Sequence, residues 1–271
     1  MLKTEERNPN SMNIDKASTI EMLSIIQKEN ENAIKAVNNA IDSIGKAVDV
    51  ATEKIKSGGR VIYVGAGTSG RLGILDAAEC PPTFGVSPET FIGVMAGGEK
   101  AVFNAAENKE DIKEDGANAM VALQVCEKDA VIGISASGGA KYVVGALNEA
   151  RRRGASTVCI TSNDNTPLTE AAEIGIVVDT GAEVITGSTR MKAGTAQKVI
   201  LNMISTSVMV KCGYVYENLM INLKPTNEKL KKRCVGIVSE ITGEPYKVSE
   251  KLLEDNQWDI KRTVDSYVKI K

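Results

Sequence analysis

The chain has 271 residues, of which 42% are hydrophobic and 25% charged, a composition typical of a globular protein. Its formal net charge of −2 gives no reason to expect nucleic acid as a partner. No segment approaches the roughly 20 consecutive apolar residues of a membrane-spanning helix, and the first residues lack the apolar core of a signal peptide. The five cysteines are scattered without a CxxC pair, as expected for free thiols in a reducing cytosol. We therefore expect a soluble cytoplasmic protein.

The sequence contains no histidine. This excludes catalysis by Ser-His-Asp or Cys-His groups and metal sites built on imidazole. Any general acid or base must then be Glu, Asp, Lys, Tyr or Cys.

The N-terminal residues predict an arm followed by helices. Residues 1–17 are polar and predict an irregular arm. Ser18 and Glu21 have the spacing of a capping box, in which each side chain bonds the backbone amide of the other. Apolar residues then recur at helical spacing to about Lys56, which predicts two helices or one broken helix ending at Gly58.

An alternation of strands and helices follows. Short runs rich in Val and Ile predict strands, and the segments between them have helical character. Buried strands separated by helices are typical of a parallel sheet covered on both faces. The predicted strands are residues 61–64, 91–95, 129–135, 156–161 and 174–178, and the predicted helices begin at about residue 69 and span 100–123 and 141–153.

A glycine-rich loop, residues 65–70, joins the first predicted strand to the next helix. The first amides of a helix have no intrahelical partner, and the peptide dipoles favour negative charge there. Glycine lets the backbone approach a ligand closely, while Thr68 and Ser69 add hydroxyl donors. The loop therefore indicates an anion site, although an ordinary turn explains the same residues. Its match to G-x-G-x-x-G is a weak indication of a dinucleotide.

A second loop of small residues, 135–139, follows the third predicted strand. Ligands of open α/β sheets bind at the carboxyl ends of the strands, where the strand order reverses. If the two loops flank that point, their hydroxyls and amides can converge on one phosphate. This favours a binding site over an ordinary turn at residues 65–70.

A third cluster of small and hydroxyl-bearing residues, within 181–198, opens a predicted helix over residues 193–211. Spacing alone leaves three interpretations open. The helix is a capped structural element, or Arg190 and Lys192 contribute to binding an anion, or its small residues pack closely against a partner subunit.

The C-terminal residues change in character. Residues 213–229 predict a further helix, interrupted by asparagines and broken at Pro225. From about residue 234 the chain is charged and amphipathic, with a turn at 242–245 and the only tryptophan, Trp258. The simplest prediction is a small helical appendage.

Several long motifs of the chain are those of a known protein family. The longest, residues 64–85, contains Gly-Ala-Gly-Thr-Ser-Gly-Arg and Asp-Ala-Ala-Glu-Cys-Pro-Pro. Together with residues 4–9, 17–22, 96–99 and 187–198, it resembles the N-acetylmuramic acid 6-phosphate etherases. The resemblance extends from Thr4 to about Gly243, and motifs of this length are far more specific than a glycine fingerprint.

The resemblance implies a sugar isomerase (SIS) domain, an α/β fold with a five-stranded parallel sheet between helices that binds phosphosugars. With the residue patterns above, we expect an N-terminal arm and helices packing on the core (residues 1–57), the SIS domain (58–230) and a small helical C-terminal appendage (231–271). The family cleaves the D-lactyl ether of N-acetylmuramic acid 6-phosphate to N-acetylglucosamine 6-phosphate and D-lactate, in the recycling of cell-wall amino sugars. Its members are homodimers and need no metal or organic cofactor.

The implied reaction, elimination followed by hydration, needs one group that takes a proton and another that donates one. Without histidine, paired carboxylates are the natural choice. The family's proton-donor glutamate corresponds to Glu79, which ends a hydrophobic helix, where burial would raise its pKa. The second catalytic glutamate corresponds to Glu110, one of several acids on what could equally be a solvated helix face. Which of the two takes the C2 proton stays open.

The resemblance assigns phosphate binding to hydroxyls and backbone amides of the two loops. The residues implied are Gly67, Thr68, Ser69, Gly70, Ser135, Ser137 and Gly138, with Ser188, Thr189 and Lys192 as further candidates. Cys80 is expected to have a packing role, because nothing near it lowers the pKa of its thiol.

The chain departs from the family pattern in its second loop and in its C-terminal appendage. The family usually has Ser-Gly-Arg-Thr-Pro-Tyr where residues 137–142 read Ser-Gly-Gly-Ala-Lys-Tyr, which puts contacts after Gly138 in doubt. The appendage is also shorter than is common.

Two other functions are consistent with parts of the sequence. An aldose–ketose phosphosugar isomerase would share both loops and a glutamate base but would need no proton donor at Glu79. A non-enzymatic sensor like the glucokinase regulatory protein would carry two SIS domains, and this chain has room for one.

Overall fold

A parallel sheet of five strands organises the fold. In the computed structural model, which describes residues 2–223, 225 and 227–270, each strand pairs in parallel with its neighbours. The strands are β1 (Val61–Gly65), β2 (Phe91–Met95), β3 (Ala130–Ile134), β4 (Ser156–Thr161) and β5 (Ile174–Val177). Every residue of β1 and of β3 is buried, as expected for near-continuous apolar strands covered on both faces. The predicted α/β fold with a five-stranded parallel sheet is confirmed.

The strand order of the sheet is β2-β1-β3-β4-β5. The order reverses at β1, which has β2 on one side and β3 on the other. The loops that follow β1 and β3 therefore flank the switch point, where open sheets of this type bind their ligands. This is the arrangement that the two small-residue loops predict.

The side chains of each strand alternate between the two faces of the sheet, so both faces carry apolar side chains that the helices bury. Ile62, Val64 and Val131 join a buried cluster with the helices that follow β2, β3 and β4. Gly73 packs against Tyr63 on the opposite face, since a Cβ atom there would lie 2.9 Å from the Tyr63 Cβ. The helices are α1 (Thr19–Asn39), α2 (Ile41–Lys56), α3 (Gly67–Phe84), α4 (Glu99–Phe103), α5 (Lys113–Ala122), α6 (Lys141–Arg152), α7 (Pro167–Ala171), α8 (Lys192–Lys211), α9 (Glu228–Thr242), α10 (Tyr246–Asp255) and α11 (Ile260–Ile270). Among the described residues, none of these helices has the length and apolar character needed to cross a membrane.

The described chain divides into two compact units. The first comprises the residues up to Ala77 together with Glu89–Val208, and it contains the sheet. The second comprises Ala78–Pro88 together with the residues from Met209 on, and it has an apolar core of its own that includes Cys234 and Leu253. The boundaries 1–57, 58–230 and 231–271 stay a prediction.

The N-terminal prediction is confirmed in detail. Ser18 and Glu21 form the capping box at the start of α1, with the Ser18 hydroxyl accepting from the Glu21 amide and the Glu21 carboxylate accepting from the Ser18 amide. The helical segment is two helices, divided at Ala40. The polar arm before α1 contains three short 3₁₀ turns.

The predicted helix over residues 100–123 is wrong. The structure has α4, a 3₁₀ turn at Glu107–Lys109 and then α5. The guanidinium of Arg71 donates hydrogen bonds to the carbonyls of Ala101, Val102 and Asn104, which a continuing helix would have used internally. A contact from a distant element thus ends α4 and lets the chain turn.

The predicted helix over residues 213–229 is also wrong. Its place is taken by a short antiparallel pair, β6 (Val215–Tyr216) and β7 (Leu219–Met220). Gly213, with a φ of 80°, follows α8, and Glu217 turns the hairpin with a φ of 49°. The helical part of the appendage starts at α9, whose first turn is capped by Asn227.

Candidate functional site

A cavity of about 250 Å³ lies where β1 and β3 end. It is the point at which the strand order of the sheet reverses. Its lining comes from the N-terminal arm, from the loops after β1 and β3, from the segment before α5 and from the segment before α8. The lining residues are Glu5, Ala66, Gly67, Thr68, Ser69, Glu110, Ile134, Ser135, Ala136, Ser137, Ala140, Gly187 and Thr189.

The first loop is shaped by close backbone contacts. A Cβ atom on Gly65 would lie 2.5 Å from the Gly70 amide nitrogen, so a side chain does not fit at that position. Gly67 has a φ of 53°, which glycine adopts readily, and α3 begins there. The helix therefore starts directly at the cavity, with Thr68 and Ser69 in its first turn. Amides at this position have no intrahelical acceptor and suit an anion.

The Ser69 side chain is hydrogen-bonded to Gln197, for which the sequence predicts no role. Its hydroxyl donates to the Oε1 atom of Gln197 at 2.9 Å. Gln197 lies in α8 and is only 2% exposed. Among the described residues, the Nε2 atom of Gln197 has no hydrogen-bond partner. The amide of Gln197 thus fixes the orientation of a hydroxyl that lines the cavity.

The second loop presents two serine hydroxyls to the same cavity. The Oγ atoms of Ser135 and Ser137 are 3.5 Å apart. The amide of Gly138 donates to the Ser135 hydroxyl at 3.2 Å, and the amide of Gly139 donates to the Ser137 hydroxyl at 3.2 Å. Gly138 has a φ of 74°, and a Cβ atom there would lie 2.4 Å from the Oγ1 atom of Thr166. The loop therefore requires glycine at 138.

Glu110 lines this cavity and a smaller one of about 160 Å³ beside it. Its backbone carbonyl accepts a hydrogen bond from the Tyr142 amide at 2.8 Å, which ties the segment before α5 to the start of α6. The break between α4 and α5 brings Glu110 to the cavity. A continuous helix would have left it on one face among the neighbouring acids.

Glu79 does not line the cavity. It lies in α3, about three helical turns after Thr68, and belongs to the second unit. Its side chain is exposed, so the burial expected for it from the sequence is not found. Cys80 is buried, in agreement with its predicted packing role.

The third cluster has two members in the cavity lining, Gly187 and Thr189. Ser188 is partly buried and is not a lining residue. Lys192 is 1% exposed and is not a lining residue, and its ammonium donates to the Oε2 atom of Glu29 at 2.6 Å. The carboxylate of Glu183 accepts from the amides of Lys192 and Ala193 at the start of α8. Of the three open interpretations, the geometry favours a capped structural helix.

A buried network joins α3 to β1 and α8. The Asp76 carboxylate accepts hydrogen bonds from the Tyr63 hydroxyl at 2.9 Å, from Asn202 Nδ2 at 2.6 Å and from the Ser205 hydroxyl at 3.2 Å. Burial raises the pKa of Asp76, and these hydrogen bonds oppose that effect. Asp76 thus anchors the helix that starts at the cavity.

The electrostatic character of the cavity is unusual for an anion site. Its described lining contains neither Lys nor Arg, and two carboxylates, Glu5 and Glu110, line it. Its donors are therefore hydroxyls, backbone amides and the N-terminus of α3. Among the described residues, no group of three or more His, Cys, Asp or Glu side chains is placed to hold a metal ion.

Comparisons with known proteins agree with this fold. The family model described as "Glucokinase regulatory protein N-terminal SIS domain" matches residues 43–151, and the one described as "SIS domain" matches residues 106–207. A phosphoheptose isomerase from Francisella tularensis superposes with a TM-score of 0.57 at 18% identity, covering 72% of this chain and 99% of that chain. At that identity the likeness concerns the fold alone.

Curated relatives are much closer in sequence. "N-acetylmuramic acid 6-phosphate etherase 1" of Bacillus licheniformis is 49% identical over 263 residues, which is 97% of this chain and 86% of the relative. "N-acetylmuramic acid 6-phosphate etherase" of Caldanaerobacter subterraneus is likewise 49% identical over 263 residues, with the same two coverages.

Proposed function

Because the chain belongs to the N-acetylmuramic acid 6-phosphate etherase family, we propose that it is a carbon–oxygen lyase that cleaves the D-lactyl ether of N-acetylmuramic acid 6-phosphate. The products are N-acetylglucosamine 6-phosphate and D-lactate. The observation that carries the proposal is the 49% identity to a named etherase over 97% of the chain. The enzyme acts in the cytoplasm, in the recycling of cell-wall amino sugars.

Phosphate binding in this proposal uses the two loops at the switch point. Thr68, Ser69, Ser135 and Ser137 supply hydroxyls, and the amides around Gly67, Gly70 and Gly138 supply further donors. The four hydroxyl-bearing residues and Gly67 line one cavity, which supports the assignment. These donors are neutral. The dipole of the long helix that begins among them adds a partial positive charge, which favours a phosphate.

The chemistry follows from the open-chain form of the sugar. Its C1 aldehyde acidifies the proton on C2, and the lactyl oxygen on C3 is β to the carbanion that forms. A base removes the C2 proton, an acid protonates the departing lactyl oxygen, and water then adds to the C2–C3 double bond. The electron pair of the C2–H bond forms the double bond, and the pair of the C3–O bond leaves with lactate.

Glu110 and Glu79 are the proposed acid–base pair. The place of Glu110 in the cavity, beside the phosphate-binding groups, supports its role. Glu79 is assigned on the family resemblance, as the donor of the proton to lactate. Ser188, Thr189 and Lys192 remain further candidates, and of these only Thr189 is supported by a place in the lining.

A homodimer is part of the proposal. Helix α1 exposes large apolar side chains, with Ile20 72% and Leu23 56% exposed, which supports burial against a second copy. Sedimentation at micromolar concentration is expected to give twice the chain mass of 28.9 kDa. A species at the chain mass would contradict it.

An isotope experiment tests the proposed reaction. In water enriched in heavy oxygen, the label is expected at C3 of the product sugar and absent from D-lactate, because the ether C–O bond on the sugar side breaks. Label in lactate would mean attack on the lactyl carbon and would overturn the elimination. Turnover of the phosphosugar without any lactate would favour an aldose–ketose isomerase instead.

A further inference from the structure

The N-terminal arm contributes a carboxylate to the cavity. Glu5 ends the first 3₁₀ turn of the arm, Lys3–Glu5, and lines the cavity together with Thr68 and Ser135. Its Oε2 atom would be 3.3 Å from a Cβ atom on Gly187, so it lies against the segment that precedes α8. A residue far away in sequence thus faces the phosphate-binding loops.

The arm is held firmly on the N-terminal side of Glu5. Thr4 is 1% exposed, and its hydroxyl accepts from the Nδ2 atom of Asn163 at 3.2 Å. The same Nδ2 atom donates to the carbonyl of Ala136, at 3.1 Å, in the second loop. The Oδ1 atom of Asn163 accepts from the Lys3 amide at 2.8 Å. Asn163 therefore fixes the arm directly to the loop that carries Ser135 and Ser137.

A second anchor holds the arm on the C-terminal side of Glu5. Asn8 is buried, and its Nδ2 atom donates to the Oε2 atom of Glu29 at 2.7 Å and to the Ala182 carbonyl at 2.9 Å. The Ser11 hydroxyl donates to the Val184 carbonyl at 2.7 Å. Buried polar contacts on both sides of Glu5 are typical of a positioned residue and not of a frayed end.

The carboxylate of Glu5 limits its ligand contacts to groups that donate a hydrogen bond. An ionised carboxylate only accepts hydrogen bonds, so it does not bind the phosphate group that the hydroxyl loops suit. Within the described residues, no hydrogen bond or ion pair occupies the Glu5 carboxylate, and the cavity lining there contains no cation. Its complement is a neutral donor on the ligand, such as a sugar hydroxyl or an amide N–H.

We propose that Glu5 contacts the substrate, accepting a hydrogen bond from a hydroxyl or amide N–H of the sugar while the two loops bind its phosphate. The assignment rests on the proposed function for the identity of the sugar and adds a residue that recognises it. Glu5 is a specificity-determining residue, because inorganic phosphate offers it no such donor. Its removal leaves the phosphate site intact and removes the preference for the sugar.

The test compares Glu5→Ala and Glu5→Gln with Glu6→Gln, whose exposed carboxyl is not in the lining. Calorimetry measures binding of N-acetylglucosamine 6-phosphate and of inorganic phosphate to each full-length variant. Glu5→Ala is expected to weaken sugar phosphate binding about 10-fold or more, the loss typical of a hydrogen bond to a charged group. Inorganic phosphate should bind at least as well as to the wild type, and Glu6→Gln should bind both like the wild type.

Three results would overturn the assignment. Unchanged binding of the sugar phosphate to Glu5→Ala would mean that the carboxylate makes no contact. A parallel loss for both ligands would mean that the substitution merely loosens the arm. Wild-type binding of the sugar phosphate no tighter than inorganic phosphate would mean that the sugar is not recognised. None of these readouts requires turnover, so a failure to release lactate would count against the proposed function alone.

Discussion

At the scale of single residues, the cavity offers neutral donors to the proposed phosphate. The hydroxyls of Ser69, Ser135 and Ser137 each have a defined orientation, set by a hydrogen bond to a neighbouring amide or side chain. Pre-oriented donors reduce the entropic cost of binding, since they are not ordered at the moment of association. The orientation of Ser69 depends on one buried side chain, Gln197.

Gln197→Met tests that dependence. The thioether keeps the bulk of the side chain but does not accept strongly from the Ser69 hydroxyl, so phosphosugar affinity is expected to fall about 3- to 10-fold, the range for one neutral hydrogen bond. In a Ser69→Ala background the same substitution should have no further effect on affinity, as measured by calorimetry. An additional loss of similar size in that background would show that Gln197 does not act through Ser69.

Glu110→Gln is expected to lower kcat about 10²- to 10⁴-fold, the usual loss on removing a general acid or base. The amide keeps the size of the side chain, so thermal unfolding should be unchanged. Glu114→Gln is the matched control, because Glu114 is an exposed acid on α5 outside the cavity. Equal activity of the two variants would remove Glu110 from the mechanism. Glu79→Gln, measured in the same assay, tests the proposed proton donor.

At the scale of elements, the conformation of the strand-to-helix loops depends on local backbone requirements, which the glycines of the sequence indicate. Gly138→Ala is expected to displace the second loop, because a methyl group there meets Thr166 and the φ of 74° disfavours alanine. Phosphate affinity and thermal stability should both fall. Gly139→Ala is the control, since its Cβ atom would meet only the Ser137 Oγ, at 3.6 Å. Equal behaviour of the two variants in binding and in thermal unfolding would contradict this account of the loop.

The elements that the sequence predicts correctly are those with local signals. Alternating Val/Ile runs and helices indicate the parallel sheet, and Ser18 with Glu21 indicates the start of α1. The errors arise where a distant contact or an unusual backbone conformation decides. Arg71 ends α4 from across the chain, and a glutamate with positive φ turns the β6–β7 hairpin.

In the candidate site too, the residues placed by local patterns could be predicted and those placed by distant contacts could not. Thr68, Ser69, Ser135 and Ser137 could be placed together because parallel strands bring their carboxyl ends to one edge. Glu5 and Gln197 could not, since the arm with its tertiary hydrogen bonds brings Glu5 to the cavity, and the packing of α8 brings Gln197 to the Ser69 hydroxyl. The sequence suggests Lys192 as a residue that binds an anion. Its ammonium instead pairs with Glu29, which is too distant in sequence for a local pattern to indicate the contact.

At the scale of the whole molecule, the ion pair between Lys192 and Glu29 links α8, α1 and the arm. Both side chains are almost fully buried. Burial alone would raise the pKa of Glu29, but hydrogen bonds from Lys192, Asn10 and Asn8 lower it to about 2. A carboxyl whose folded pKa is depressed stabilises the fold above its unfolded pKa, and that contribution is lost as the pH falls through the folded value.

Glu29→Gln is expected to lower the free energy of unfolding at pH 7 by about 3–5 kcal/mol, since it leaves a buried ammonium unpaired. The wild type should lose stability between the ordinary glutamate pKa of 4.5 and about 2, and the variant should lose less over that interval. Urea unfolding at several pH values measures both. Glu31→Gln, an exposed glutamate on the same helix, serves as control. A variant as stable as the wild type at pH 7 would contradict the role of the pair.

We propose that this protein releases D-lactate from a phosphorylated muramic sugar. The most direct measurement is an enzymatic D-lactate assay with N-acetylmuramic acid 6-phosphate and unphosphorylated N-acetylmuramic acid side by side. We expect stoichiometric D-lactate from the phosphorylated sugar and little or none from the other, because the proposed site binds the phosphate through its hydroxyl loops. Absence of D-lactate from the phosphorylated sugar, or equal release from both, would contradict it.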